Sequence, residues 1–281
     1  MSTVHLPPTQ VAQVTKHGKI SLMTKTIFAI PSLGRSLGIS DQTLKTLKNL
    51  DVPESSIYVF VVEEEEHLYK ENVPTDINVV VGELGVGNQR TFINNYFETG
   101  TRCVIMDDDV QIIVKSENKV RVLEEPLLPL IDKAFQLCDE VGAKMWGVCN
   151  TTNGFFMNHS SVFGLRMPYG AFSGEYAQDP DTQSRLPHSE DMEKGIKHYL
   201  KYGGYVRFND VGVKQTRYAD GGVNQVCGGK EKRMEVYKEC SDYMIKTYPD
   251  LVKPSGKEDP SKGLTKIKLK TVSRHPSILS L

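Results

Sequence analysis

Three consecutive aspartates, Asp107, Asp108 and Asp109, have the clearest capacity for chemistry in this chain. They follow the apolar run Cys103 to Met106, and apolar residues resume at Val110, Ile112 and Ile113. This pattern predicts a buried strand that surfaces, sets down negative charge and continues as a second strand. Adjacent carboxylates repel one another unless a cation sits among them. Hard divalent cations take oxygen ligands, and Mg²⁺ is usually shared between one or two carboxylates and substrate phosphates. The triplet is therefore read as a site for a metal and a diphosphate. Acid clusters after strands also serve as solvated turns. The interior character of the preceding strand favours the site, because open α/β sheets bind ligands at the C-terminal ends of their strands.

A second acid pair, Glu190 and Asp191, opens a segment reading P-H-S-E-D-M-E-K-G-I. Ser189 suits a helix N-cap, and Met192, Ile196, Tyr199 and Leu200 form an apolar stripe. Acids in a first turn satisfy the helix dipole. One of them could also take the proton from a hydroxyl attacking a bound metal–diphosphate. Arg35 ends the loop Pro31-Ser32-Leu33-Gly34-Arg35 after the strand Thr26 to Ile30, either solvated or forked onto a phosphate. Glu63 begins a run of four glutamates after the strand Ile57 to Val62. It either starts a helix or reaches a ligand hydroxyl. Asn88, Gln89 and Arg90 occupy the first turn of a glycine-led helix, where free N–H groups attract anions. Its glycine spacing is neither a dinucleotide fingerprint nor a P-loop.

The elements that must position these residues alternate between strands and helices. Leu44, Leu47 and Leu50 have helical spacing behind Ser40 or Asp41. Ile77 to Val81 is a third strand, and Phe92, Ile93, Tyr96 and Phe97 form one face of the glycine-led helix. A helix over Leu123 to Val141 and a strand over 143–149, carrying Trp146, follow. Residues 150–158 are a polar, aromatic loop of the kind that carries function at strand ends. Val162 to Leu165 and Tyr169 to Phe172 read as short strands. Residues 174–187 are expected as a mobile loop, either a lid or a plain connection. Tyr205 to Phe208 and Val211 to Val213 read as a hairpin. The Gly-Gly pair in Lys214 to Gln225 would let a ligand approach backbone closely. A helix spans 231–248. Lys266, Lys268 and Lys270 alternate with Ile267 and Leu269, giving an edge strand with one basic face. That face either blocks aggregation or meets a polyanion.

The chain has 281 residues, 39% hydrophobic and 25% charged, with a net charge of -1. This is enough for one large domain with ample core. Near-neutral charge excludes a uniformly basic nucleic-acid coat but not a local basic face. No window approaches the roughly 18 apolar residues of a membrane span, and the first twenty residues lack a signal-peptide core. Five cysteines without a C-x-x-C pair suggest reduced thiols and a cytoplasmic location.

The order of these pieces resembles the nucleotide-sugar glycosyltransferases of the GT-A fold: strand–P-S-L-G-R, strand–Glu, G-V-G-N-Q-R leading a helix, I-M-D-D-D-V, then S-E-D at a helix start. The resemblance covers about Thr26 to Tyr248. With a late G-G-V-N-Q, the wording is most similar to the TET/JBP-associated glycosyltransferases of phages and kinetoplastids, which are thought to glycosylate hydroxymethylated pyrimidines in DNA. It implies an α/β, Rossmann-like mixed sheet flanked by helices in a single domain. Residues 24–250 would form the catalytic unit, with an N-terminal arm at 1–23 and a basic segment at 251–281 packed on the domain. It further implies that Pro31, Ser32 and Arg35 line the nucleotide pocket, that Glu63 meets the uridine, and that Asn88 and Arg90 hold the nucleobase or diphosphate side. Asp107 and Asp108 would contact ribose and sugar. Asp109, with Asp107 and by its late position His275, would hold Mn²⁺ or Mg²⁺. Asp191, with Glu190 beside it, would be the base of an inverting transfer of a hexose, such as glucose from UDP-glucose, to the hydroxymethyl group of a pyrimidine in DNA. A glycan or protein acceptor, or a non-catalytic nucleotide-sugar-binding module, are the alternatives. Phe155, Phe156, Lys230, Lys232, Arg233 and the basic C-terminal segment are the candidate DNA contacts. The oligomeric state stays open.

Overall fold

The computed structural model describes residues 10–14, 20–117, 119–158, 160–167, 169–215, 221–259 and 264–275. Two strands, β1 (Gln10–Val14) and β2 (Ile20–Thr24), form a separate antiparallel hairpin. The first half of the domain then alternates strand and helix: β3 (Thr26–Pro31), α1 (Thr43–Asn49), β4 (Ile57–Val61), α2 (Glu66–Asn72), β5 (Asn78–Val81), α3 (Val86–Tyr96) and β6 (Arg102–Met106). β3 pairs in parallel with both β4 and β6, and β4 with β5. The interior of β3, from Ile27 to Ile30, is buried, as expected of strands covered on both faces.

The second half turns mixed. It comprises β7 (Val110–Ser116), β8 (Val120–Val122), α4 (Leu127–Val141), β9 (Met145–Cys149), β10 (Ser161–Leu165), β11 (Phe172–Tyr176), α5 (Glu190–Tyr202) and β12 (Tyr205–Gln215). Then come α6 (Gly222–Cys227), α7 (Lys230–Thr247), β13 (Val252–Asp259), β14 (Leu264–Leu269) and β15 (Val272–His275). The main sheet runs β15-β10-β12-β9-β11-β6-β3-β4-β5, with β7 joined to β12 and to β8. β11 lies antiparallel between β6 and β9, so it couples the two halves. Trp146 is fully buried, and its indole touches Phe135, Phe172 and Phe208 edge on. Gly174 makes room for it, since a Cβ there would lie 2.3 Å from the indole nitrogen.

Three expectations are corrected. Residues 205–213 are not a hairpin but part of one continuous strand, β12. It runs parallel to β9 and, from Val211, pairs antiparallel with β7. Asn209-Asp210, read as a turn, marks a register irregularity between Phe208 and Gly212; a bulge lets one strand change partners without reversing. The strand expected over 169–172 begins three residues later and runs from Phe172 to Tyr176. Residues 177–187 are not a loose lid. Thr182, Gln183 and Ser184 are buried, and Lys197 Nζ donates to the Gln183 carbonyl at 2.6 Å. A Cβ at Gly87 would meet the Leu186 carbonyl at 2.4 Å, so this loop packs directly on α3. The basic C-terminal strand is β14, paired with β13; Ile267 and Leu269 are buried in a cluster with Met244 of α7 and Met192 and Ile196 of α5.

Candidate active site

The aspartate turn sits where β6 ends and β7 begins. Threonines of α1, which the sequence reading passed over, brace it. Thr43 Oγ1 donates to the Asp107 carbonyl at 2.6 Å and accepts from Val110 N at 2.9 Å. Thr46 Oγ1 donates to the Gln111 carbonyl at 2.7 Å. With its backbone fixed in this way, the turn directs its carboxylates to separate partners. Asp107 Oδ1 accepts from Arg90 Nη2 at 2.7 Å. Asp108 accepts from Ser32 Oγ at 2.5 Å and pairs with Arg35. Asp109 Oδ2 lies 3.4 Å from the same Arg35. Its Oδ1 is buried and, among the described residues, has no hydrogen-bond partner. Burial first, then Asp107 beside it, pushes the Asp109 carboxyl up to about 7, against the pull of Arg35.

The P-S-L-G-R loop is held from two sides. Ser32 Oγ lies 2.7 Å from Tyr69 Oη, and Arg35 N donates to that oxygen at 3.2 Å. Gly222 N donates to the Leu33 carbonyl at 3.0 Å. A Cβ on Gly221, whose φ is +87°, would lie 2.7 Å from that carbonyl. The glycine pair, expected to let a ligand approach, lines the cavity and also makes room for the opposite loop.

Asp191 and Glu190 start α5 behind Ser189, which holds the left-handed conformation at φ 59°. Ser189 occupies the expected N-cap position but makes no side-chain cap bond; its hydroxyl lies 2.9 Å from His188 Nδ1. Asp191 accepts from Met192 N at 2.7 Å and Gly170 N at 3.3 Å. Glu190 Oε1 is 3.6 Å from Arg90 Nε. Arg90 therefore lies between the aspartate turn and α5. A Cβ on Gly170 would lie 2.8 Å from its guanidinium, so a side chain there would have to push Arg90 aside. Burial raises both carboxyls of the Glu190–Asp191 pair, and Arg90 opposes the rise. Behind them, Glu193 accepts from Tyr243 and Tyr248 at 3.1 and 2.9 Å, and Lys194 pairs with Glu175 at 2.6 Å. These buried bonds fix the helix that carries the acids.

All five acids line one cavity of about 650 Å³, together with Pro31, Ser32, Arg35 and Arg90. Two expected residues lie outside its lining. Glu63 is exposed on the first turn after β4; Glu65, two residues on, is the one that accepts from Gly34 N, at 2.7 Å. Asn88 turns back to the Leu84 carbonyl at 3.1 Å and toward Arg185, while its neighbour Gln89 faces the cavity. Helical geometry explains the swap: adjacent residues point about 100° apart. His275 pairs by its backbone with Phe163, and its side chain is outside the described residues. The sequence reading missed Asn150, Tyr169, His188 and Gln215 as lining residues. Tyr169 Oη donates to Gln215 Oε1 at 2.8 Å. Burial, then Arg233, lowers His188 to about 4, so it faces the cavity neutral.

No three His, Cys, Asp or Glu side chains converge into a metal-holding group among the described residues. Arg90 holds Asp107, and Arg35 holds Asp108 and Asp109. What fits a hard divalent ion is the unpartnered Asp109 oxygen, with the partly exposed Asp107 nearby and room in the cavity for ligand oxygens.

A mixed sheet with acids clustered at strand ends beside a helix-borne carboxylate pair defines a glycosyltransferase of GT-A architecture. The chain matches the TET-Associated Glycosyltransferase family over residues 26–222 and belongs to that family. No curated protein matches the sequence. Among solved structures, S. aureus TarS 1-349 in complex with UDP-GlcNAc has a TM-score of 0.51 and 16% identity, covering 85% of this chain and 69% of that one. Glucosyl-3-phosphoglycerate synthase from Mycobacterium tuberculosis, in complex with Mn²⁺, UDP-glucose and phosphoglyceric acid, has a TM-score of 0.47 and 12% identity, covering 90% and 88%. Among the described residues, no helix is long and apolar enough to cross a membrane.

Proposed function

We propose that this glycosyltransferase moves a hexose, glucose from UDP-glucose, to the hydroxymethyl group of a modified pyrimidine in DNA, with inversion at the sugar. Residues 24–250 carry the reaction. One observation supports this reading most: a single chamber joins the unpartnered Asp109 oxygen to the buried Glu190–Asp191 pair. Family membership and a neighbour solved with a UDP-sugar favour the donor class.

In the transfer, the acceptor hydroxyl oxygen attacks the anomeric carbon, and its proton passes to Asp191. The bond from that carbon to the diphosphate oxygen breaks, and UDP leaves with the electron pair. Buried carboxylates whose pKa is raised are better bases than exposed ones. Gly170 N and Met192 N hold the Asp191 oxygens in place. Arg35 and Arg90 lie where a diphosphate would meet the aspartate turn, and charge developing on a leaving group is stabilised by donors already in position. Asp109 and Asp107 would hold Mn²⁺ or Mg²⁺, which supplies positive charge to the diphosphate. UDP release is to be measured with UDP-glucose, Mn²⁺ and DNA with or without hydroxymethylcytosine. The reading expects release and a glucosylated nucleoside only with the modified DNA. Equal turnover on unmodified DNA, or transfer only to a glycan, would overturn it.

A further inference from the structure

Between the aspartate turn and the proposed base stands a pair of neutral side chains that the transfer described above leaves without a role. Tyr169 Oη donates to Gln215 Oε1 at 2.8 Å, and both residues line the cavity. Backbone pairing fixes where they stand. Gln215 is the last residue of β12 and pairs with Val110, the residue after Asp109. Tyr169 precedes Gly170, whose N–H donates to Asp191 at 3.3 Å, and Asp107 N donates to the Ala171 carbonyl at 3.0 Å. The segment 169–171 therefore borders the aspartate turn and also holds Asp191. The Tyr169–Gln215 bond ties that segment to the strand end beside Asp109.

The chemistry demands a particular occupant for this part of the chamber. In the transfer, the diphosphate meets Arg35, Arg90 and the aspartate turn, and the attacking hydroxyl meets Asp191. The anomeric carbon is bonded to one and approached by the other, so the hexose ring lies between them. That ring is a neutral polyol whose hydroxyls both donate and accept hydrogen bonds. A carboxamide and a phenol are neutral partners for such groups, where arginines and aspartates suit phosphate and metal. The Gln215 oxygen is taken by Tyr169, so the amide offers its N–H donors; nothing among the described residues accepts from them. A few placed polar groups of this kind fix orientation and specificity in a ligand site. The bond to Tyr169 limits rotation of the amide, so its donors are held before a sugar arrives.

We infer that Gln215, positioned by Tyr169, forms the subsite that donates to a hydroxyl of the transferred hexose and so selects the sugar. This inference rests on the hexosyl-transfer reading above and adds to it the residues that choose among hexoses.

The test is calorimetric titration with UDP and with UDP-glucose, in the presence of Mn²⁺ and the absence of an acceptor. Gln215→Met keeps the length of the side chain and removes its donors. It should weaken UDP-glucose binding about tenfold, as loss of one hydrogen bond in a closed site does, and leave UDP affinity at the wild-type value. Tyr169→Phe frees the amide and should weaken UDP-glucose about three- to fivefold, again without changing UDP. Thermal melts report whether each variant folds. UDP-glucose analogues that lack one ring hydroxyl at a time probe the same contact on the unaltered protein. One of them should bind about tenfold more weakly than UDP-glucose, and Gln215→Met should bind that analogue and UDP-glucose alike. Wild-type UDP-glucose affinity in Gln215→Met, equal losses for UDP and UDP-glucose, or equal wild-type affinity for all the analogues overturns this subsite and leaves the transfer reading standing. Wild-type protein that binds no UDP-glucose overturns both.

Discussion

The aspartate turn and the stretch of β12 that carries Arg207 treat charge in different ways. At the aspartate turn each arginine meets carboxylates: Arg35 meets Asp108 and Asp109, and Arg90 meets Asp107 and Glu190. Arg207, on β12, meets the Met167 carbonyl and Cys149 Sγ instead, with no carboxylate within ion-pair distance among the described residues. The first is a buried network in which cations and anions hold one another in place. The difference predicts that losing Arg90 costs the fold more than losing Arg207.

Four changes would break or sharpen that contrast. The largest effect is expected for Asp191→Asn, which should lower kcat by about 10²–10⁴ while leaving UDP affinity near wild type. UDP release and calorimetry check it, and unchanged turnover would remove Asp191 as base. Arg90→Met should cost about 3–5 kcal/mol of stability, because it strands Asp107 and Glu190 beside a buried site. Arg207→Met should change stability by less than about 1 kcal/mol, because no carboxylate pairs with it among the described residues. Urea unfolding of the two variants measures the contrast directly, and equal losses would end it. Gly221→Ala forces a Cβ against the Leu33 carbonyl at positive φ. It should cost about 1 kcal/mol or more and raise the KM for donor more than that for acceptor.

The smallest effect concerns pH. His198 is buried on α5 with neither ring nitrogen bonded, and burial lowers it to about 3. Its unfolded value is about 6.5. Between these values the unfolded chain binds the proton and the folded chain does not. Stability therefore falls as pH drops from about 6.5 toward 3. His198→Phe should flatten that slope in denaturant unfolding at a series of pH values, without altering the donor end.

The parallel half of the sheet and the aspartate turn were legible in the chain because their signals are local. Apolar runs ended by Pro31, the glycines before α3 and the triplet itself each specify a strand end or helix start within a few residues. The second half was read less well. β12 was taken for a hairpin because Asn209-Asp210 has turn composition, but its two segments pair with different strands, and pairing is a long-range property. Residues 174–187 were expected as a mobile loop, either a lid or a plain connection, because they are polar. Lys197 and Thr91 of α3, which lie apart from them in sequence, donate to the Gln183 and Ser184 carbonyls and hold the loop down.

Residue types alone determined that this chain concentrates acids at strand ends and that Glu190 and Asp191 open a helix. They also determined that Arg35 and Arg90 are the cations at hand, because composition and spacing along one segment fix what that segment can offer. Tertiary structure decided which of these meet. It separated Asp107 and Asp108 onto different arginines and left one Asp109 oxygen without a partner. It turned Glu63 and Asn88 away and brought Gln89, Asn150, Tyr169 and Gln215 in. The reason is that a side chain's direction and its counter-charge depend on strands and helices far away in sequence.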